Sequence, residues 1–244
     1  AWDAAGWQQE MDRVVVQPIP TPLRPAVQDP LLGHQLILNQ IDVAGYPQQV
    51  AYFSVFNDAG EPWQNLTAEN LTVSEDDQAI SDWVLRTVPV TEPLAVALVA
   101  DVSGSMDGDP LNQAVAALRT FLASLGAEDR VAMISFSSGV SLLYGFTTDK
   151  AAISETVGTL VAGGNTALND AVLYAVNQVA GQPTGRRAVI VMTDGKDTSS
   201  QSTLEQAIAR ASLLNIPVYA VGLQSGDFDA APIEQLAQET GALA

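Results

Sequence analysis

Five side chains carry oxygen at positions where it can gather. Asp101, Ser103 and Ser105 occupy alternate positions in DVSGS, directly after the apolar run Leu94 to Ala100. Thr166 follows Gly163 and Gly164 in GGNTAL, and Asp194 ends the apolar run of VIVMTDG. Carboxylates and hydroxyls are hard oxygen donors, the kind that suits a hard divalent cation. Taken singly, each segment also reads as ordinary turn and helix-cap chemistry, because Asp, Ser, Thr and Gly favour those places. Three such segments in this order, each at the end of a strand or the start of a helix, are hard to assign to chance.

Strands and helices must alternate to bring these residues together. The run Leu94 to Ala100 has no polar position, as expected of a strand buried on both faces of a parallel sheet. Leu111, Ala114, Val115, Leu118, Leu122 and Leu125 then repeat at helical spacing, with Asp109 and Pro110 as the expected cap and first-turn pair and Gly126 as the stop. VAMISF (131–136) and VSLLY (140–144) flank Ser137-Ser138-Gly139, which predicts a hairpin bearing an antiparallel edge strand. A short helix is expected after Asp149. Leu168, Ala171, Val172, Ala175, Val176 and Val179 predict the helix after Thr166, and Ala188 to Met192 the next buried strand. Ser202-x-x-Glu205 reads as a capping box opening a helix through Leu214, followed by a strand at Ile216 to Val221 and a last helix from Asp229 to Gln238. This alternation is α/β: a doubly wound, Rossmann-like, mostly parallel sheet with helices on both faces. In that strand order the first and fourth strands are neighbours at the switch point, so Asp101 and Asp194 would face one crevice.

With these motifs in place, residues 93–244 resemble the von Willebrand factor A domain. Asp101, Ser103, Ser105, Thr166 and Asp194 match all five positions of that family's metal-ion-dependent adhesion site. The resemblance implies that Ser103, Ser105 and Thr166 touch the metal directly, while Asp101 and Asp194 hold its waters or swap in as ligands. Mg2+ is the implied cation, with Ca2+ or Mn2+ as substitutes. The implied function is a metal-dependent protein-binding or adhesion module whose partner offers an Asp or Glu carboxylate. Neutral hydroxyls donate lone pairs without cancelling the cation's charge, which leaves it attractive to an incoming acid. Two other readings are weighed: within the family, an A-domain component of a metal-chelatase-like ATPase complex; outside it, a metal-dependent phosphoryl-handling enzyme built on a strand-end Asp, which would want a second acid where Ser103 stands. Members usually continue past the equivalent of Gly241 with a short strand and closing helix, so a truncated C-terminal end is expected.

Ahead of this region two further segments are expected. Residues 1–33 carry Pro18, Pro20, Pro22, Pro25 and Pro30 and read as an extended linker. Residues 34–90 read as a small antiparallel, sandwich-like unit of four strands, LILNQIDV, QVAYFSVF, NLTVSED and AISDWVLRTV. The pattern from Gly60 to Asp76 resembles units that precede A domains in bacterial surface proteins, which implies an extracytoplasmic location. Asn65-Leu66-Thr67 and Asn70-Leu71-Thr72 fit glycosylation triplets but are read as unmodified strand and turn residues.

Composition narrows the function classes. The chain of 244 residues has a formal net charge of −18 with 10 Lys and Arg, which argues against nucleic acid and anionic membrane surfaces as partners. It has no cysteine, hence no thiol nucleophile or thiolate metal site, and no apolar run long enough to span a bilayer. Its start, AWDAAGW, places any targeting segment outside this sequence. Catalysis lacks parts: His34 is the sole histidine and lies outside the α/β region, so no Ser-His-Asp triad forms around Ser105. Gly195-Lys196 fails as a phosphate loop, because Ile190 stands where glycine is needed and Asp197 where Ser or Thr is needed. No enzymatic activity is expected. Asp107 and Asp109 are read as solvated loop and helix cap. Ligand specificity would reside in the loops at Gly139, Gly163-Gly164, Lys196 to Gln201 and Ser225 to Phe228.

Overall fold

The computed structural model describes residues 28–29, 34–42, 46–47, 49–57, 66–75, 77–86, 93–183, 185–226 and 228–242. Its first sheet is antiparallel, in the order β1 (Gln28–Asp29), β2 (His34–Asp42), β3 (Val50–Asn57). Two expectations change here. The end of the presumed linker, Gln28–Asp29, pairs as a strand with His34 and Gln35. The third and fourth expected strands, NLTVSED and AISDWVLRTV, shrink to the two-residue strands β4 (Ser74–Glu75) and β5 (Gln78–Ala79), which pair antiparallel, and a helical turn at Ala68–Asn70 precedes them. Polar chemistry explains the turn: the Asn70 side-chain oxygen accepts from both the amide and hydroxyl of Thr67, and such local bonds compete with strand pairing. Residues 1–27 and Asn65 lie outside the described residues.

From Leu94 onward the alternation follows the sequence pattern. Strands β6 (Leu94–Asp101), β7 (Arg130–Phe136), β8 (Val140–Thr147), β9 (Arg186–Thr193) and β10 (Val218–Gly222) form one sheet in the order β10-β9-β6-β7-β8. All neighbours are parallel except β8, which returns antiparallel along β7 as the edge. Strand β6 is therefore central, with β9 on one side and β7 on the other. Helices α1 (Asp109–Ser124), α2 (Lys150–Val157), α3 (Leu168–Ala180) and α4 (Leu204–Leu213) lie in the connections between these strands, and α5 (Ala230–Glu239) follows β10. The fold is α/β with a mixed, mostly parallel sheet. Among the described residues no helix is long and apolar enough to cross a membrane.

The period-two geometry of β6 explains why it has no polar face. Ala97 and Val99 join the core shared with α3, α4 and α5, whereas Val96, Leu98 and Ala100 join the core shared with α1 and α2. Each face needs its own apolar set. Full burial of a side chain such as Leu98 stabilises by about 1.5–3 kcal/mol relative to exposure. In α1, Leu111, Ala114, Leu118 and Leu122 are the buried stripe, and all the apolar positions expected for α3 are buried.

Helix starts differ in detail from expectation. Gly108, at φ +83°, is the N-cap of α1, and Asp109 and Pro110 are its first helical residues. The capping box of α4 is Thr203 with Gln206, one residue later than Ser202 with Glu205. A tertiary contact decides this: Ser202 N–H donates to Asp170 Oδ1 at 2.9 Å and its carbonyl accepts from Asn169 Nδ2 at 3.2 Å. Those bonds tie Ser202 to α3, so the next residue takes the cap. At α5, Asp229 is the cap itself, accepting from Ala231 N–H at 3.1 Å.

Candidate metal centre

Asp101 is the last residue of the central strand, and the side chains around it come from three chain segments. Its Oδ1 accepts from Ser103 N–H at 2.8 Å, and Ser103 Oγ lies 3.2 Å from Ser105 Oγ. Alternate spacing thus does what the motif requires: it folds the loop after β6 back over its own carboxylate and sets two hydroxyls side by side. Asp101, Ser103, Thr166 and Asp194 are buried, and Ser105 is half-buried.

The Gly163-Gly164 loop braces the Ser103 loop through the backbone. Gly163 N–H donates to Val102 O at 2.7 Å, and Gly104 N–H donates to Gly164 O at 2.9 Å. Gly164 is required there: its φ is +89°, and a Cβ would meet Ser138 Oγ at 2.8 Å. Thr166 then sits just before α3, held by Thr198, whose Oγ1 accepts from Thr166 N–H at 2.9 Å and whose N–H donates to Thr166 O at 2.8 Å. The loop after β9 therefore holds the Thr166 backbone at both its N–H and its carbonyl.

Asp194 arrives from β9, next to β6. Its Oδ2 accepts from Ser225 Oγ at 2.9 Å, and its carbonyl accepts from Asp229 N–H at 2.8 Å. Its Oδ1 is buried with no hydrogen-bond partner. A buried acceptor left bare costs about 1–3 kcal/mol, and more when charged, so this oxygen is where a cation would relieve a cost the fold otherwise carries. Burial pushes the Asp101 carboxyl above its usual range and the nearby Asp194 charge adds to that, while hydrogen bonds from Ser103 and Thr193 pull the other way. A buried carboxylate with a second buried acid at the end of the neighbouring strand is an electrostatic setting in which a divalent ion is favoured.

The five predicted residues thus lie on adjoining elements at one end of the sheet. Asp101, Ser103 and Ser105 are linked directly. Asp194 is coupled to Asp101 through Thr193, whose hydroxyl donates to Asp101 Oδ2 at 2.6 Å, and Thr166 is joined through the braced loops. Among the described residues no group of three or more His, Cys, Asp or Glu gathers as a metal cluster. Thr193 and Ser225 were not singled out from the sequence. Thr193 sits inside VIVMTDG with nothing local to mark it, and Ser225 lies in a loop noted only for specificity.

The family model for the von Willebrand factor type A domain matches residues 95–243. Inter-alpha-trypsin inhibitor heavy chain H2 of Homo sapiens is 26% identical over 167 residues, which is 62% of this chain and 18% of that protein. This chain therefore spans less than a fifth of that relative. Among solved structures, a von Willebrand factor type A protein from Catenulispora acidiphila is similar with TM-score 0.55 and 25% identity, covering 63% of this chain and 38% of that one. The vWF domain of the type V pili tip protein Mfa5 from Porphyromonas gingivalis shares the fold with TM-score 0.52 at 16% identity, covering 64% of this chain and 90% of that one.

Proposed function

This chain belongs to the von Willebrand factor type A family, and from that premise we propose that it is a metal-dependent protein-binding module. Asp101, Ser103, Ser105, Thr166 and Asp194 would hold one divalent cation, Mg2+ by preference and Ca2+ or Mn2+ in its place, as a complete adhesion site of the family's type. The bound cation would supply attraction for a carboxylate on the partner, an Asp or Glu side chain that completes its coordination. The residues of this chain set up that attraction. Ser103, Ser105 and Thr166 donate neutral oxygen and leave the cation's charge uncancelled, while Asp101 and Asp194 orient the inner shell. The observation that carries the reading is the bare, buried Asp194 Oδ1 at the same sheet end as the paired Ser103 and Ser105 hydroxyls.

In this reading the unit of residues 93–244 binds and does not catalyse, and the region 34–90 precedes it as a separate small β unit. Its place is the cell surface or another extracytoplasmic setting, which the shared fold of a pilus-tip domain supports by analogy alone. At physiological salt the Debye length is about 8 Å, so distant surface acids of this −18 chain are screened from a partner's carboxylate while a cation at contact is not.

Two measurements test it. Calorimetric titration of the chain with MgCl2 should give one site, lost in Asp101→Ala and retained in Asp107→Ala, since Asp107 is exposed. Water-proton relaxation of the Mn2+-loaded chain should then respond to a blocked aspartate and not to the matching blocked asparagine. No cation binding by the wild-type chain, with its circular dichroism intact, would rule the proposal out.

A further inference from the structure

The geometry points to Thr193, outside the five-residue set, as a positioning residue that presets the Asp101 carboxylate for a cation; the inference rests on the metal-binding reading above. Thr193 is the last residue of β9 and is 1% exposed. Its hydroxyl donates to Asp101 Oδ2 at 2.6 Å and accepts from Gly195 N–H at 3.0 Å. A hydroxyl has one proton, so an amide donating to its oxygen leaves that proton free to point at the carboxylate. The bond is short for its class, as expected when the acceptor is charged.

The other oxygen of the same carboxylate is held from a different element, by Ser103 N–H at 2.8 Å. A carboxylate held at one oxygen can still rotate about its terminal torsion, which is broad for Asp. Held at both, by the loop after β6 and by the neighbouring strand β9, it has one plane. The amide that orients Thr193 belongs to Gly195, the residue after Asp194, so one turn sets the position of both acids. No local pattern specifies this contact. It spans 92 residues and follows from the parallel register that sets Ala100 opposite Met192, which carries the next two residues, Asp101 and Thr193, to the same level.

A threonine that merely completed the core would act through its methyl and its volume; a positioning role acts through the hydroxyl. The two are separated with the full chain by titrating MgCl2 calorimetrically into wild type, Thr193→Val and Thr193→Ser, and by following unfolding of each without metal. Thr193→Val keeps the shape and removes the hydroxyl, and its Mg2+ affinity should fall by about 10–100-fold, the usual loss when an outer-shell partner of a ligand is removed. Thr193→Ser should restore most of that affinity, although it lacks the methyl. Thr193→Ala makes the same comparison at smaller volume if the valine variant does not fold. Wild-type Mg2+ affinity in the folded valine or alanine variant, or a serine variant as weak as valine, would overturn the positioning role while leaving the metal reading intact. A wild-type chain that binds no Mg2+ would overturn the metal reading itself.

Discussion

Gly195→Ala should unsettle the fold and the site together, because the turn after Asp194 has no room for a methyl group. Gly195 has φ +90°, and a Cβ added there would fall on the carbonyl oxygen of Asp229 and 2.9 Å from Ile233 Cδ1. The isoleucine tip can move. The Asp229 carbonyl cannot move freely, because Asp229 caps α5 and its N–H is bonded to Asp194 O at 2.8 Å. The unfavourable backbone conformation costs about 1–3 kcal/mol, and forcing a methylene into a filled space costs about 1–3 kcal/mol more. A loss of about 2–6 kcal/mol is therefore expected, lowering the thermal midpoint by about 5 °C or more in a chain of this size. Gly139→Ala is the control, since nothing lies within 4 Å of its added Cβ. Thermal and urea unfolding followed by circular dichroism provide the measurement, with Mg2+ calorimetry on the folded variant as a second readout. A Gly195→Ala chain melting within about 1 °C of wild type would refute the steric reasoning, because either contribution alone exceeds that.

Two further expectations concern the scaffold. Leu118 is fully buried on the inward stripe of α1, so Leu118→Ala should lower stability by about 2–5 kcal/mol through lost transfer energy and a residual cavity; an unchanged urea midpoint would contradict it. Asp170, in the first turn of α3, accepts from Gln201 and Ser202 N–H at 2.9 Å each, and although burial raises its pKa, those hydrogen bonds outweigh the burial and hold it below the usual range. With the folded value depressed, its stabilisation is full above the ordinary carboxylate value and is lost as pH falls through the folded one. Urea midpoints measured below about pH 4 should therefore fall less steeply in Asp170→Asn than in wild type, and parallel curves would show that those hydrogen bonds contribute nothing to acid stability.

The α/β part of the chain was legible because its signals are local and repeat. An apolar run without polar interruptions, such as Leu94 to Ala100, has only one good place in a soluble α/β protein, the centre of a sheet covered on both faces. The helical stripes of α1 and α3 follow from the same burial rule at a different period. The five oxygen-bearing residues could be picked out for a related reason: Asp101 and Asp194 stand where such runs end, Ser103 and Ser105 follow Asp101 directly, and Thr166 stands just before the helical stripe of α3, so each marks the rim of the sheet. In the region 34–90 that logic weakened. Short segments rich in Thr, Asn and Asp bury little, so two of the expected strands contracted to the two-residue strands β4 and β5, and local side-chain bonds from Thr67 to Asn70 hold a helical turn just ahead of them.

What the tertiary structure decided is everything that depends on two distant segments meeting. The start of α4 moved by one residue because Asp170 and Asn169 of α3 engage Ser202. The Asp101 carboxylate is held between the loop after β6 and Thr193 of β9, and Asp194 Oδ1 is left buried and bare, because a parallel register set the two strand ends level. Residue types and spacing specify which atoms can serve as donors, since those are properties of single side chains and their near neighbours. How the Asp101 carboxylate is turned and where Thr166 is seated also depend on hydrogen bonds between segments distant in the chain, and these exist only once the strands have paired.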